Sequence, residues 1–188
     1  MKNLTSILKT AGILFVIGFV CTLILTVCNY VTKDIIAQNA IKEENAAKKE
    51  VLTLATDFSE ISVEDENIDA VYEGVADGKT VGYCVKVSPL GYGGEISMMV
   101  GVGVDGKVSG VKIVDMSETP GLGARAKEPS FINAYSGKKD GIKVIKSGIP
   151  EDDEVSAISG ATITSKAVTE GVNSALSAVS SLRKEGAK

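Results

Sequence analysis

Hydrophobic and polar positions divide this chain into an apolar head, an amphipathic middle and a body of alternating strand patterns. No charge occurs between Lys9 and Lys33. Inside that window the run from Ala11 to Val27 is almost wholly apolar, carried by Leu14, Phe15, Phe19, Leu23 and Leu25 among others. A helix of that length crosses a bilayer, and membrane helices tolerate glycines such as Gly12 and Gly18. A cleaved signal peptide would need a shorter apolar region and an Ala-x-Ala-like site, and neither is present. A lipoprotein signal ending at Cys28 is the other alternative, but the bulky Val27 before it fits poorly. The pattern predicts an uncleaved membrane anchor over residues 1–31.

From Thr32 to about Leu54, Ile35, Ile36, Asn39, Ala40, Ala47, Val51 and Leu54 fall near one helical face, with Lys and Glu between them. This predicts a helical stalk that packs on the body, followed by a polar, acidic surface loop over Thr56 to Asn67; stalk and loop together make residues 32–67. Strand patterns then dominate. Ala70–Ala76 and Thr80–Val87 flank Asp77-Gly78, and Glu95–Val104 and Lys107–Asp115 flank Asp105-Gly106. Each reads as a hairpin around a turn dipeptide, and Pro89–Gly94 reads as a glycine-rich loop between them. A short helical stretch is expected around Pro129–Tyr135, with short strands at Ile142–Lys146 and Val155–Ile158. Val168, Val172, Ala175, Leu176, Val179 and Leu182 recur at helical spacing and predict a final helix from about Thr164, stopped near Gly186. The sum is an α+β domain over residues 68–188, an antiparallel sheet with packed helices, behind a single N-terminal transmembrane helix.

Composition narrows the chemistry. A net charge of −4 argues against a nucleic-acid binder. The chain has no histidine, which excludes a Ser-His-Asp triad and histidine-ligated zinc or haem. Any redox chemistry must then come from a bound cofactor. Cys21, Cys28 and Cys84 form no Cys-x-x-Cys pair. Cys21 and Cys28 share a face of the apolar run and read as small hydrophobes, or else as part of a metal site shared with a partner protein; Cys84 reads as core. Neither a catalytic residue nor a metal ligand is expected within the chain.

Two segments carry candidate binding chemistry. In Ser159-Gly160-Ala161-Thr162-Ile163-Thr164-Ser165-Lys166, small residues lead into hydroxyl side chains and a helix start. Unpaired amides at such a start favour an anion, so the stretch reads as a phosphate seat, with Thr164, Ser165 and the amides as donors and Lys166 as counter-charge. Taken alone it also suits a turn and helix cap, with Thr164 and Ser165 as capping hydroxyls and Lys166 as a solvated surface charge. In Glu118-Thr119-Pro120-Gly121-Leu122-Gly123, the glycines admit close approach of a flat ring and Pro120 stiffens the turn. Leu122 can pack on such a ring and Thr119 can hydrogen-bond its edge; an ordinary Pro-Gly turn is the alternative. Tyr92 reads as a partly exposed loop aromatic, with ring stacking as its second possibility.

The membrane run, the Glu118–Gly123 loop and the Ser-Gly-Ala-Thr stretch, in that order, resemble RnfG, the FMN-binding component of Rnf ion-translocating electron-transport complexes. That family is shared with NqrC, the equivalent component of sodium-translocating quinone reductases. The likeness covers most of the chain. It implies FMN joined by a phosphoester to Thr162, installed by a separate flavin transferase, and an outward-facing domain in the cell membrane. It further implies partnership with other membrane and redox subunits in a ferredoxin:NAD oxidoreductase that drives sodium or proton export. The family's usual aspartate three residues before the motif serine is Ser156 here, with the acidic run Glu151–Glu154 just upstream. The rival expectations are the equivalent quinone-reductase component and a cofactor-free extracytoplasmic binding or assembly module.

Overall fold

The computed structural model describes residues 2–63, 65, 67–139 and 141–185. They form two compact units, Met1–Lys42 and Glu43–Lys188. The first belongs to helix α1 (Lys2–Val51). Its large apolar side chains, Phe15, Phe19 and Leu25 among them, are exposed, and by length and composition the helix is apolar enough to cross a membrane. Within the apolar run the Thr22 and Thr26 hydroxyls each donate, at 2.8 Å, to the carbonyl four residues back, which satisfies them inside the helix. Cys21 and Cys28 are free thiols on this exposed surface.

The second unit is built on a five-stranded antiparallel meander in the order β1-β2-β3-β4-β5. The strands are β1 Asp57–Ile61, β2 Ala70–Ala76, β3 Lys79–Val87, β4 Ile96–Gly103 and β5 Val108–Met116. Both expected hairpins form. Asp77 and Gly78 have φ of 51° and 73°, so both central residues of the two-residue turn are left-handed, as its twist demands. Alternation then sorts side chains between faces. Val100 and Val102 of β4 face the main core with Met98, whereas Met99 and Cys84 face the opposite side with Ala47, Val51 and Leu52.

Helix α3 (Thr162–Glu185) covers the main face with Val168, Val172, Ala175, Leu176 and Val179. Gly186, the expected helix stop, lies outside the described residues. Phe131 and Tyr135, from the short helix α2 (Pro129–Ile132) and the 3₁₀ turn Asn133–Tyr135, close one end of this core. The Tyr135 hydroxyl pairs with Thr169 at 2.7 Å. Strands β6 (Lys143–Ile145) and β7 (Glu154–Ser156) pair in parallel as a separate small sheet. The other face of the meander is covered by the last two turns of α1. Lys48 is buried there, its ammonium 4.0 Å from the Tyr72 ring centroid, while Glu44 accepts bonds from Tyr72 at 2.6 Å and Lys86 at 2.7 Å. Burial, reinforced by Glu44, raises the pKa of the Tyr72 hydroxyl. Burial pushes the Cys84 thiol up to about 12, which keeps it an inert core residue.

The structure corrects three expectations. Residues 56–67 are not all loop: Asp57–Ile61 pairs with β2 as an edge strand. Only Phe58 and Ile61 in it are even half-buried, so the strand lacked the apolar alternation that would have revealed it; charges on an edge are a common guard against pairing with other chains. Helix α1 stops at Val51 rather than Leu54, because Leu52 turns onto the sheet while Leu54 is exposed. Helix α3 starts at Thr162, two residues before the first clearly periodic position.

The contact between α1 and the sheet depends on missing side chains. A Cβ on Gly101 would strike the Val51 carbonyl and the Ser109 hydroxyl, and one on Gly82 would lie 2.9 Å from Leu52. Ser109 instead donates to the Val51 carbonyl at 2.6 Å, which caps the helix end. Gly101→Ala should therefore lower stability by about 1–3 kcal/mol, read as a drop in the thermal midpoint of the detergent-solubilised protein. An unchanged midpoint would show that the helix end is not seated on β4.

Candidate functional site

The site forms where the β5–α2 connection meets the start of α3. After β5 the chain enters a turn in which the Leu122 N–H bonds the Thr119 carbonyl at 3.1 Å. Pro120 occupies its second position, and Gly121 its third with φ 78°, the pattern of a type II turn. A 3₁₀ turn, Gly123–Lys127, follows. Before α3 a second turn closes through Ala161 N–H to Ile158 O at 2.9 Å, with Gly160 in the left-handed region at φ 79°. The two turns touch: a Cβ on Gly160 would lie 3.0 Å from Leu122.

Between them lies a cavity of about 570 Å³ lined by Tyr92, Glu118, Thr119, Leu122, Gly123 and the continuous stretch Gly160–Thr164. Residues far apart in sequence are thus joined into one concave surface. Thr162 is the first residue of α3 and half-buried at the rim. The leading amides of a helix have no acceptor within it. The Thr164 hydroxyl also has no hydrogen-bond partner among the described residues, although Thr164 keeps only 1% of its surface. Thr164 is also one of the cavity's lining residues.

Not every candidate residue reaches this cavity. Ser165 is fully buried; its Oγ accepts the Ile158 N–H at 3.0 Å and donates to the Ala161 carbonyl at 2.9 Å. Its role is to hold the turn before α3 in shape, and no hydrogen is left over for a phosphate. Lys166 is exposed and lines a different cavity, beside Asp65, Ile142 and Glu170. Ser159 is exposed outside the cavity, and Gly121 shapes its turn without forming a wall. The structure adds Ile163 to the wall and brings Tyr92, weighed from sequence mainly as a loop aromatic, to it as well. Ile163 sits beside Thr162, and Tyr92, 72% exposed, reaches the rim from the loop before β4. The sequence marks 89–94 as a glycine-rich loop, but no local pattern says which surface that loop meets.

Ser156 ends β7 and is exposed. The acidic run before it is held locally. Lys143 bonds Asp153 at 2.9 Å and holds that carboxyl below the ordinary aspartate range. Lys138 donates to the Asp152 carbonyl at 2.8 Å, and the Glu151 N–H donates to Glu154 at 3.1 Å.

An apolar helix long enough to cross a membrane, an antiparallel meander and a cavity at a helix start suit a membrane-anchored, cofactor-binding domain. Comparison with known proteins supplies the family. Residues 91–177 match the FMN-binding domain, and residues 1–51 match the RnfG N-terminal region. The chain is 37% identical to the G subunit of the Na(+)-translocating ferredoxin:NAD(+) oxidoreductase complex of Acetobacterium woodii, covering 95% of this chain and 94% of that one. It is 34% identical to the G subunit of the proton-translocating ferredoxin:NAD(+) oxidoreductase complex of Clostridium ljungdahlii, with the same two coverages of 95% and 94%. Among solved structures, the C subunit of the Na(+)-translocating NADH-quinone reductase of Parabacteroides distasonis aligns at 25% identity. Its TM-score is 0.54, over 73% of this chain and 80% of that one. Shewanella oneidensis NqrC, at 23% identity and a TM-score of 0.51, covers 64% of this chain and 65% of its own and supports the fold. The chain belongs to the RnfG family of ion-translocating oxidoreductase complexes, and α1 is its membrane anchor.

The residues present suit FMN. The cavity has the size of small-molecule sites, about 300–1,000 Å³. The Thr164 hydroxyl has no hydrogen-bond partner among the described residues, the amides at the start of α3 suit a phosphate, and Leu122, Ile163 and Tyr92 give the wall apolar area. The role found for Ser165 has a direct test. Ser165→Ala leaves the buried Ile158 N–H without its acceptor and should cost about 1–3 kcal/mol in denaturant unfolding. A variant as stable as the parent would mean that the turn is held by something else.

Proposed function

We propose that this chain is the flavoprotein component of an ion-translocating ferredoxin:NAD(+) oxidoreductase complex, relaying electrons between other redox subunits through FMN held as a phosphoester on Thr162. The observation that carries the reading is the position of Thr162: first residue of α3, at the rim of a cavity shared with the Glu118–Gly123 turn. A phosphate on its hydroxyl would meet the amides at the helix start, where the dipole favours negative charge. Thr164 would donate to the same end of the cofactor. Leu122, Ile163 and Tyr92 would flank the ring. When bound, FMN supplies the electron-carrying chemistry; the protein supplies orientation and electrostatics.

The chain contains no histidine, and the Glu118 oxygen nearest Tyr92 is already engaged by backbone amides. A hydroxyl with no base poised beside it is a poor nucleophile, which supports attachment by a separate flavin transferase. Ser156, Ser159 and Gly160 are exposed, which leaves the motif accessible to such an enzyme. In this reading the domain stands on the extracytoplasmic side of the membrane, an orientation supported by family likeness and not by flanking charge.

Co-expression with a flavin transferase should give flavin fluorescence that survives denaturing electrophoresis, and Thr162→Ala should abolish it while the domain still folds. Covalent flavin retained in that variant would remove Thr162 as the attachment point and bring Thr164 forward. A Ser62→Cys reporter, with the native cysteines replaced, should react with an impermeant maleimide on intact cells. Labelling only after permeabilisation would reverse the orientation.

A further inference from the structure

Glu118 is the only acidic side chain among the described residues lining the cavity, and it is 8% exposed. Burying a carboxylate is costly unless hydrogen bonds compensate it. Its partners are not on its own turn. The Tyr92 N–H donates to Oε1 at 2.7 Å and the Gly93 N–H donates to the same oxygen at 3.3 Å. Charge-assisted bonds to backbone amides are among the stronger hydrogen bonds in proteins, and these reach from the β5–α2 connection to the loop before β4.

The surroundings are shaped to admit this contact. A Cβ on Gly91 would strike Glu118 Oε1, one on Gly93 would strike the Ser117 carbonyl, and one on Gly123 would strike Oε2 and lie 2.8 Å from the Thr164 hydroxyl. The loop itself is closed by Gly91 N–H to Gly94 O at 2.8 Å and Ile96 N–H to Pro89 O at 2.9 Å. It is therefore a closed unit, bound to the cavity wall by the Glu118 carboxylate. Tyr92 sits on that unit with its ring at the rim.

We propose that Glu118 is a positioning residue: its carboxylate clamps the Tyr92 loop over the flavin cavity and its negative charge lowers the reduction potential of the flavin held there. The inference rests on the reading that FMN occupies this cavity. Both consequences follow from one group. The clamp decides how much of the ring solvent can reach. The charge disfavours addition of an electron nearby, more so in a site partly closed to water.

The test uses the full-length, detergent-solubilised protein flavinylated by co-expressed transferase, with covalent flavin quantified by absorbance before each measurement. Glu118→Gln keeps an acceptor oxygen and removes the charge. It should leave acrylamide quenching of flavin fluorescence unchanged and move the midpoint potential upward. Glu118→Ala removes the acceptor and should increase both quenching and potential, whereas Tyr92→Ala should increase quenching with a smaller change in potential. A wild-type potential in Glu118→Gln, or wild-type quenching in Glu118→Ala, would overturn the assignment. If Glu118→Ala does not fold, the potential of Glu118→Gln decides. Wild-type protein without flavin would instead overturn the FMN reading beneath the proposal, so the two failures are distinguishable.

Discussion

A sheet with two apolar faces needs a cover on each, and here the covers come from opposite ends of the second unit. Helix α3 buries Val168, Val172 and Val179 against Met98, Val100 and Val102. The last turns of α1 bury Ala47 and Val51, with Leu52, against Cys84 and Met99. Strand alternation supplies both faces from the same strands. The glycines of the second face matter as much as its apolar residues, because they let the end of α1 lie against β-strand backbone. This double cover fixes the seat of α3, and through it the position of Thr162 at the helix start.

The cavity is made chiefly of backbone turns, with few side chains contributed by regular elements. Two glycine turns meet at Gly160 and Leu122, and the buried Ser165 hydroxyl holds one of them to the helix it precedes. Such a surface suits a cofactor that presents both a phosphate and a flat ring. Exposed amides serve the first and close backbone approach serves the second. Burial of Glu118 among Gly91, Gly93 and Gly123 belongs to the same design: small residues make room for a charge, and backbone amides compensate it.

Membrane anchoring and cofactor carriage occupy separate stretches of chain. The apolar part of α1 satisfies the Thr22 and Thr26 hydroxyls within the helix and exposes its hydrocarbon. The domain carries every residue of the cavity wall. An electron carrier restricted to a membrane surface in this way meets its partners at high effective concentration, since tethering converts encounter into a local event.

By itself the sequence determined what rests on local periodicity and local backbone chemistry. The apolar run, the Asp77-Gly78 hairpin, the alternation of β4 and the apolar stripe of α3 are all short-range patterns, and each appears in the structure close to where it was expected. The Glu118–Gly123 and Ser159–Thr162 turns were legible for the same reason, since proline and glycine constrain φ within a few residues. Tertiary structure decided the rest. The edge strand Asp57–Ile61 exists because β2 offers it a partner, not because its own residues alternate. Ser165 and Lys166 follow Thr162 by three and four residues on the same helix, yet Ser165 is consumed by the turn before α3 and Lys166 lines a different cavity. Tyr92 reaches the cavity through a carboxylate far along the chain. Contacts between segments distant in sequence leave no period to read, so only the folded chain shows which side chains meet.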